Sequence, residues 1–235
     1  MLDLTRFSAL TFDCYGTLID WESGIAAALR KVVSAHGLEI SDERLLDEFA
    51  VVESPIQSGP FLRYRDVLAA SVHALGGRLG FVATAKEAAS LPESLASWCP
   101  FPDTVAALRG LGSRYRLGVI SNTDDDLFAA SAGHLGAAFS WVITAEQVGS
   151  YKPSHRNFAV ALERIGLPKD RILHVAQSVF HDVAPAQSLG LATVWVNRRA
   201  GRAGSGATPE ASAVPDLTVP DLATLAALVE EQFRR

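Results

Sequence analysis

Apolar residues along the 235-residue chain cluster in two ways. Short runs rich in β-branched side chains, without polar alternation, occur at Ser8–Phe12, Tyr115–Ile120, Trp141–Thr144, Ile172–Ala176 and Ala192–Val196. Missing alternation suits parallel strands covered on both faces. Between these runs, apolar positions recur every three or four residues. That spacing predicts helices over Asp103–Gly112, Asp124–Leu135, Ser154–Ile165 and Asp182–Leu189. Asp103 is an N-cap candidate, and Gly166 and Gly190 are stop signals after their helices. Strand–helix alternation in the second half of the chain predicts right-handed crossovers and a doubly wound parallel α/β sheet. Such sheets bind ligands outside the carboxyl ends of their strands. Asp13, Ser121–Asn122 and Gln177–Asp182 fall there.

Residues 21–98 break this rhythm. Helical spacing over Ile25–His36, Ser41–Val52 and Phe61–Leu75 predicts an all-helical cap inserted after the first strand. The expected division is a core of residues 1–20 and 99–235 and a cap of residues 21–98. Pro100 and Pro102 mark the return to the core. Ala200–Pro220, rich in Ala, Gly, Ser and Pro, reads as a surface loop, and Asp221–Phe233 as a closing helix.

Composition narrows the function classes. With 49% hydrophobic and 20% charged residues, the chain can build a sizeable core. A net charge of -5 argues against a nucleic-acid binder, which needs a basic face. Two cysteines, Cys14 and Cys99, make neither a disulfide framework nor a metal cluster. No run is long and apolar enough to span a membrane, and charges interrupt the place of a signal peptide. The expected compartment is the reducing cytoplasm. Lysine occurs only at Lys31, Lys86, Lys152 and Lys169, which makes each easy to inspect.

Four constellations carry candidate chemistry. Asp13-Cys14-Tyr15-Gly16-Thr17-Leu18 follows the first strand. A carboxylate on such a loop is either a nucleophile that forms an ester or an aspartate capping its own turn. Ser121-Asn122-Thr123 offers neutral donors to a carboxylate or phosphate, or else caps the helix near Asp124. Lys152, before Pro153, either keeps a nucleophilic Asp ionised or lies in solvent. Asp182 either accepts a proton from water or helps orient the lysine, or else caps the helix it begins. His181 beside it is a candidate base or an ordinary loop histidine.

Taken in order, Asp13, Ser121, Lys152-Pro153 and Asp182 resemble the four motifs of the haloacid dehalogenase superfamily, over nearly the whole chain. The resemblance implies a Rossmann-like core with a helical cap that opens and closes. Most members are Mg-dependent phosphatases with a second Asp two residues after the nucleophile. Here Tyr15 stands at that position, and Gln177 replaces an acidic ligand five residues before Asp182. A phenol is no carboxylic acid at neutral pH, and an amide is a weak partner for a hard cation.

The Asp-x-Tyr-Gly-Thr pattern is similar to the metal-independent type II L-2-haloacid dehalogenases. That branch implies that Asp13 displaces halide from a 2-haloalkanoic acid, and that water near Asp182 hydrolyses the ester. A halide leaves without a proton, so the missing acid is tolerable. The resemblance assigns Asp13, Lys152 and Asp182 to catalysis. It assigns Tyr15, Thr17, Ser121, Asn122 and Gln177 to a small carboxylate substrate, while Trp21, just past the first motif, either lines that pocket from the cap hinge or packs in the hinge. It implies no cofactor or metal, no membrane or nucleic-acid partner, and the option of a homodimer. The alternative is a phosphatase of small phosphate esters, which would need Mg. Two departures concern the substrate pocket. The branch usually has a cap arginine near the halide, yet Phe49–Pro55 contains none, and Arg63 and Arg65 lie further along. Gln177-Ser178-Val179 also departs from the usual Ser and Asn of the fourth motif. Cys14 is expected to point into the core as a small apolar residue.

Overall fold

The computed structural model describes residues 2–200, Thr208 and residues 211–235. Its centre is a six-stranded parallel sheet of β1 (Ala9–Phe12), β2 (Arg116–Ser121), β3 (Trp141–Thr144), β4 (Ile172–Ala176), β5 (Ala192–Val196) and β6 (Leu217–Val219). The spatial order is β3-β2-β1-β4-β5-β6, and every neighbouring pair is parallel. The chain therefore reverses its direction of travel at β1. That is the switch point at which α/β sheets place ligands.

Both faces of the sheet are apolar, as the unbroken runs require. Leu10, Phe12, Leu117 and Val119 join the larger core, which includes α5 (Thr104–Gly112) and α10 (Leu222–Phe233). Ala9, Ile120, Ile143 and Ile172 meet Phe158, Ala161 and Ile165 of α8 (His155–Ile165) on the other face. The remaining core helices are α6 (Asp125–Leu135), α7 (Ala145–Val148) and α9 (Ala184–Ser188).

Between β1 and α5 lie α1 (Trp21–Ala35), α2 (Asp42–Gln57), α3 (Tyr64–Leu79) and α4 (Ala85–Ser94), packed on one another. Asp20 and Ser41 cap α1 and α2 through their side chains. Among the described residues, no helix is long and apolar enough to cross a membrane.

Several expectations need correction. The helix expected to stop at Val52 continues through Pro55 to Gln57. α4 lies in a stretch for which no helix was expected, and Thr84 and Glu87 cap its first turn with a reciprocal capping box. β6 lies inside the expected loop Ala200–Pro220; residues 201–207, 209 and 210 of that loop lie outside the described residues. Asp103 does not cap α5 through its side chain but accepts from Arg198 and from the first N–H groups of α10. Asp182 is no N-cap either. It sits inside a wide helical turn, Val179–Val183, capped by Ser178 and continuing into α9. That frees its carboxylate to face inward.

Candidate active site

β1 ends at Phe12, so Asp13 emerges at the carboxyl edge of the central strand. The loop after it turns tightly, with the N–H groups of Thr17, Leu18 and Ile19 bonded to the Cys14 carbonyl. Gly16 has φ 96°, a left-handed conformation that favours glycine. A Cβ there would also lie 2.9 Å from Trp21 Nε1 and 3.2 Å from Gln177 Oε1. Cys14 is a buried free thiol, as expected.

Three side chains meet at the strand ends. Lys152 Nζ donates to Asp13 Oδ1 at 2.9 Å, to Asp182 Oδ1 at 2.6 Å and to the Ile120 carbonyl at 2.8 Å. All three donor positions of the ammonium are used. Lys152 and Asp182 are almost wholly buried, and Asp13 is 7% exposed. Burial pulls the ammonium down, but Asp13 and Asp182 outweigh it and hold Lys152 above the usual lysine value. Burial raises Asp182, yet Lys152 and His174 prevail and keep it ionised below the usual carboxylate range. Asp13 is raised by burial, against the pull of Lys152, which makes it a more basic oxygen nucleophile.

Two supporting residues complete the geometry. Thr17 Oγ1 donates to Asp13 Oδ2 at 2.8 Å and accepts from the Gln177 N–H at 2.8 Å. His174 Nε2 lies 3.0 Å from Asp182 Oδ1, and its Nδ1 lies 2.9 Å from Thr11 Oγ1. A neutral ring donating from Nε2 and accepting at Nδ1 satisfies both contacts. Asp182 Oδ2 is then left buried without a hydrogen-bond partner among the described residues, as is Ser121 Oγ. These two atoms are the open positions of an otherwise saturated network.

A cavity of about 50 Å³ opens over this network. Asp13, Tyr15, Trp21, Ser121, Asn122, Lys152, Gln177 and Asp182 all line it. Thr17 does not; its hydroxyl is taken up by Asp13 and the Gln177 N–H, so it holds the carboxylate in place. Asn122 lines the cavity, but its amide is engaged with the Lys152 main chain in both directions, at 3.0 and 2.7 Å. It anchors the segment that presents the lysine. Tyr15 bonds Ser131 Oγ at 2.9 Å, and burial pushes its phenol up, so it stays protonated. His181 shares a contact with Ser178 Oγ, and burial lowers it to about 4, leaving it neutral at ordinary pH. Trp21 and Gln177 also border a larger open cleft of about 980 Å³, but Asp13, Lys152 and Asp182 do not line that cleft.

Sequence reasoning missed His174 as a partner of Asp182, and Glu53, Gln57, Tyr64 and Thr208 as lining residues. A signal for Glu53 was present. It shares the buried face of α2 with Leu45, Leu46, Phe49 and Val52, where a charge is out of place. Arg63 and Arg65 take no part in the cavity. They pair with Asp124, Asp126 and Glu146 at the start of α6 and α7. The buried Asp124 carboxylate also accepts from the first N–H groups of α3, Tyr64 at 2.7 Å and Arg65 at 3.1 Å. A core residue thus caps a helix of the inserted segment.

Comparison with known proteins gives the same picture. An (S)-2-haloacid dehalogenase of Pseudomonas fluorescens is 29% identical over 227 residues, covering 94% of this chain and 96% of the relative. A glyceraldehyde 3-phosphate phosphatase of Methanothermobacter thermautotrophicus is 36% identical, but over 42% of this chain and 45% of the relative. The structure of the L-2-haloacid dehalogenase from Xanthobacter autotrophicus with chloropropionic acid covalently bound shares the fold, with a TM-score of 0.80. It is 22% identical and covers 95% of this chain and 98% of that chain. The haloacid dehalogenase-like hydrolase pattern matches residues 7–190. With that match over most of its length, the chain belongs to the haloacid dehalogenase-like hydrolases.

Proposed function

We propose that this chain is a metal-independent hydrolase that releases halide from short (S)-2-haloalkanoic acids. The observation that carries the reading is the Lys152 ammonium fixed between Asp13 and Asp182, with Tyr15 where a leaving-group acid would stand. In this reading residues 1–20 and 99–235 act as the catalytic core and residues 21–98 as the cap.

Asp13 attacks the halogen-bearing carbon, the carbon–halogen bond breaks with its electron pair, and an Asp13 ester forms. Lys152 and Thr17 keep the attacking carboxylate ionised and aimed. Ser121 Oγ, buried and unpartnered among the described residues, receives the substrate carboxylate. Asp182 Oδ2 is placed to accept a proton from the water that hydrolyses the ester, giving a 2-hydroxy acid. Trp21, Tyr15 and Gln177 bound the small cavity. A substrate enclosed there reacts away from bulk water.

A phosphatase would require oxygen ligands for Mg beside Asp13. Lys152 already bridges the two carboxylates, Tyr15 and Gln177 are neutral, and no cluster of three or more His, Cys, Asp or Glu among the described residues is arranged for a metal. The donor set does not fit a divalent cation. The near full-length match to a dehalogenase, against a match to a phosphatase over less than half the chain, supports the same choice. Halide release from (S)-2-chloropropionate in EDTA is the test. Release only with Mg, or cleavage of p-nitrophenyl phosphate in its place, would overturn the reading.

A further inference from the structure

The segment Phe49–Pro55, in which a cap arginine was sought, instead sends an acid toward Asp13. Glu53 lies on α2, is 6% exposed, and lines the cavity with Gln57 and Tyr64. Its hydrogen-bond partner among the described residues is Gln57 Nε2. The ionisable groups across the cavity are Asp13, Lys152, Asp182 and His181. Tyr15 also lines it, and Tyr64 and Tyr151 flank Glu53, with their rings 6.4 Å apart. None of these supplies a spare positive charge, because Lys152 is saturated by Asp13, Asp182 and Ile120. Arg63 and Arg65 are committed to Asp124, Asp126 and Glu146. Among the described residues, an ionised Glu53 would be a buried carboxylate without a cation, facing an anionic substrate. As a neutral acid it becomes a hydrogen-bond donor instead.

In-line displacement fixes what it would donate to. Asp13 attacks from the core side, so the halogen departs away from Asp13, and the lining that the inserted helices α2 and α3 contribute to the same cavity is Glu53, Gln57 and Tyr64. We propose that Glu53, as the neutral acid, is the specificity-determining residue of the cap side, donating its carboxyl hydrogen to the departing halogen beside the Gln57 amide. This rests on the dehalogenase reading of the same site. The bond from Asp13 oxygen to carbon forms as the carbon–halogen bond breaks. The halogen leaves with the bonding pair, and Glu53 keeps its proton. Burial pushes Glu53 up to about 7, opposed by Gln57, so the donor form is populated at neutral pH and lost above it.

Two measurements test this, and the first does not need turnover. Calorimetric titration of wild type with propionate at pH 8, in buffers of different ionisation enthalpy, is expected to show uptake of close to one proton. Glu53→Gln is expected to show none. No uptake in wild type, or equal uptake in both, overturns the proposal. The second is kcat/KM for (S)-2-chloropropionate from pH 5.5 to 9. Wild type is expected to fall about tenfold per pH unit above the Glu53 transition, and Glu53→Gln to lose that fall. An identical falling limb in the variant overturns the proposal. Glu53→Leu, which preserves apolar packing, is expected to lose more on chloro- than on bromopropionate; equal losses count against the halogen contact. Absence of halide release by wild type at every pH rejects the dehalogenase reading, while the propionate titration still decides the ionisation of Glu53.

Discussion

The two walls of the cavity are built on opposite electrostatic principles. The core wall brings two carboxylates and an ammonium together, and nearly every donor and acceptor has a partner. The cap wall offers one acid, one amide and a tyrosine, with no cation among the described residues. Charges that are paired in advance hold a fixed geometry, which suits a group that must attack along one line. A buried acid without a counter-ion responds to whatever enters, which suits recognition. In the proposed mechanism, reactivity is set by residues at adjacent strand ends, and selectivity by a helix from a separate stretch of chain.

The sharpest break of this contrast removes the attacking group. Asp13→Asn is expected to lower halide release on the order of 10⁴-fold or more, with the far-UV spectrum unchanged. Retained turnover would mean that no ester forms at residue 13. Lys152→Met leaves Asp13 and Asp182 buried together without their shared cation. Urea denaturation is expected to show a loss of about 3–5 kcal/mol, alongside a large fall in activity. A mild effect would mean that the core wall is less tightly coupled than its distances imply.

The cap wall predicts the opposite sign. Glu53 has a folded value of about 7 against an ordinary 4.5. Between these values the folded chain keeps a proton that the unfolded chain has lost, so its stability falls as pH rises through that window. Glu53→Gln lacks this dependence. Its stability relative to wild type is expected to improve by about 3 kcal/mol between pH 4.5 and pH 8. Urea midpoints at the two pH values measure it, and a constant difference would show that Glu53 is already paired.

The link between the walls gives smaller effects. Asp124→Ala removes the cap of α3 and is expected to cost about 1 kcal/mol in urea denaturation and to raise KM. Arg63→Ala, which breaks half-exposed pairs, is expected to cost less than about 1 kcal/mol, and that cost should vanish in high salt. A large, salt-independent loss would place Arg63 in the cavity after all.

The core wall was legible in the sequence because its signals are local. Five strands announce themselves as short apolar runs, Ser121 ends one of them, and Asp13, Lys152 and Asp182 each follow a strand or turn. The cap wall was not. Pro55 reads as a stop, yet α2 continues because Leu45, Leu46, Phe49 and Val52 are docked before it. Val51, whose carbonyl loses its donor to the proline, is exposed. That extra turn places Glu53 and Gln57 four apart on one face. Thr84 and Glu87 did spell out the start of α4, a local signal that went unused. Thr11, which fixes the other nitrogen of the His174 ring, and Tyr64, which donates to Asp124, lie too far away in sequence for any pattern to reveal.

The position of β1 at the middle of the sheet has a consequence for how the molecule is made. The strand that ends just before Asp13 is synthesised ahead of both its neighbours, because it pairs with residues 116–119 on one side and 172–175 on the other. Its place can be completed only after most of the chain has been synthesised. Contacts of such long separation form late and slowly. A translation product that stops short of β4 therefore holds Asp13 without Asp182, and the network around the Asp13 carboxylate closes only with the finished sheet instead of accumulating along the way.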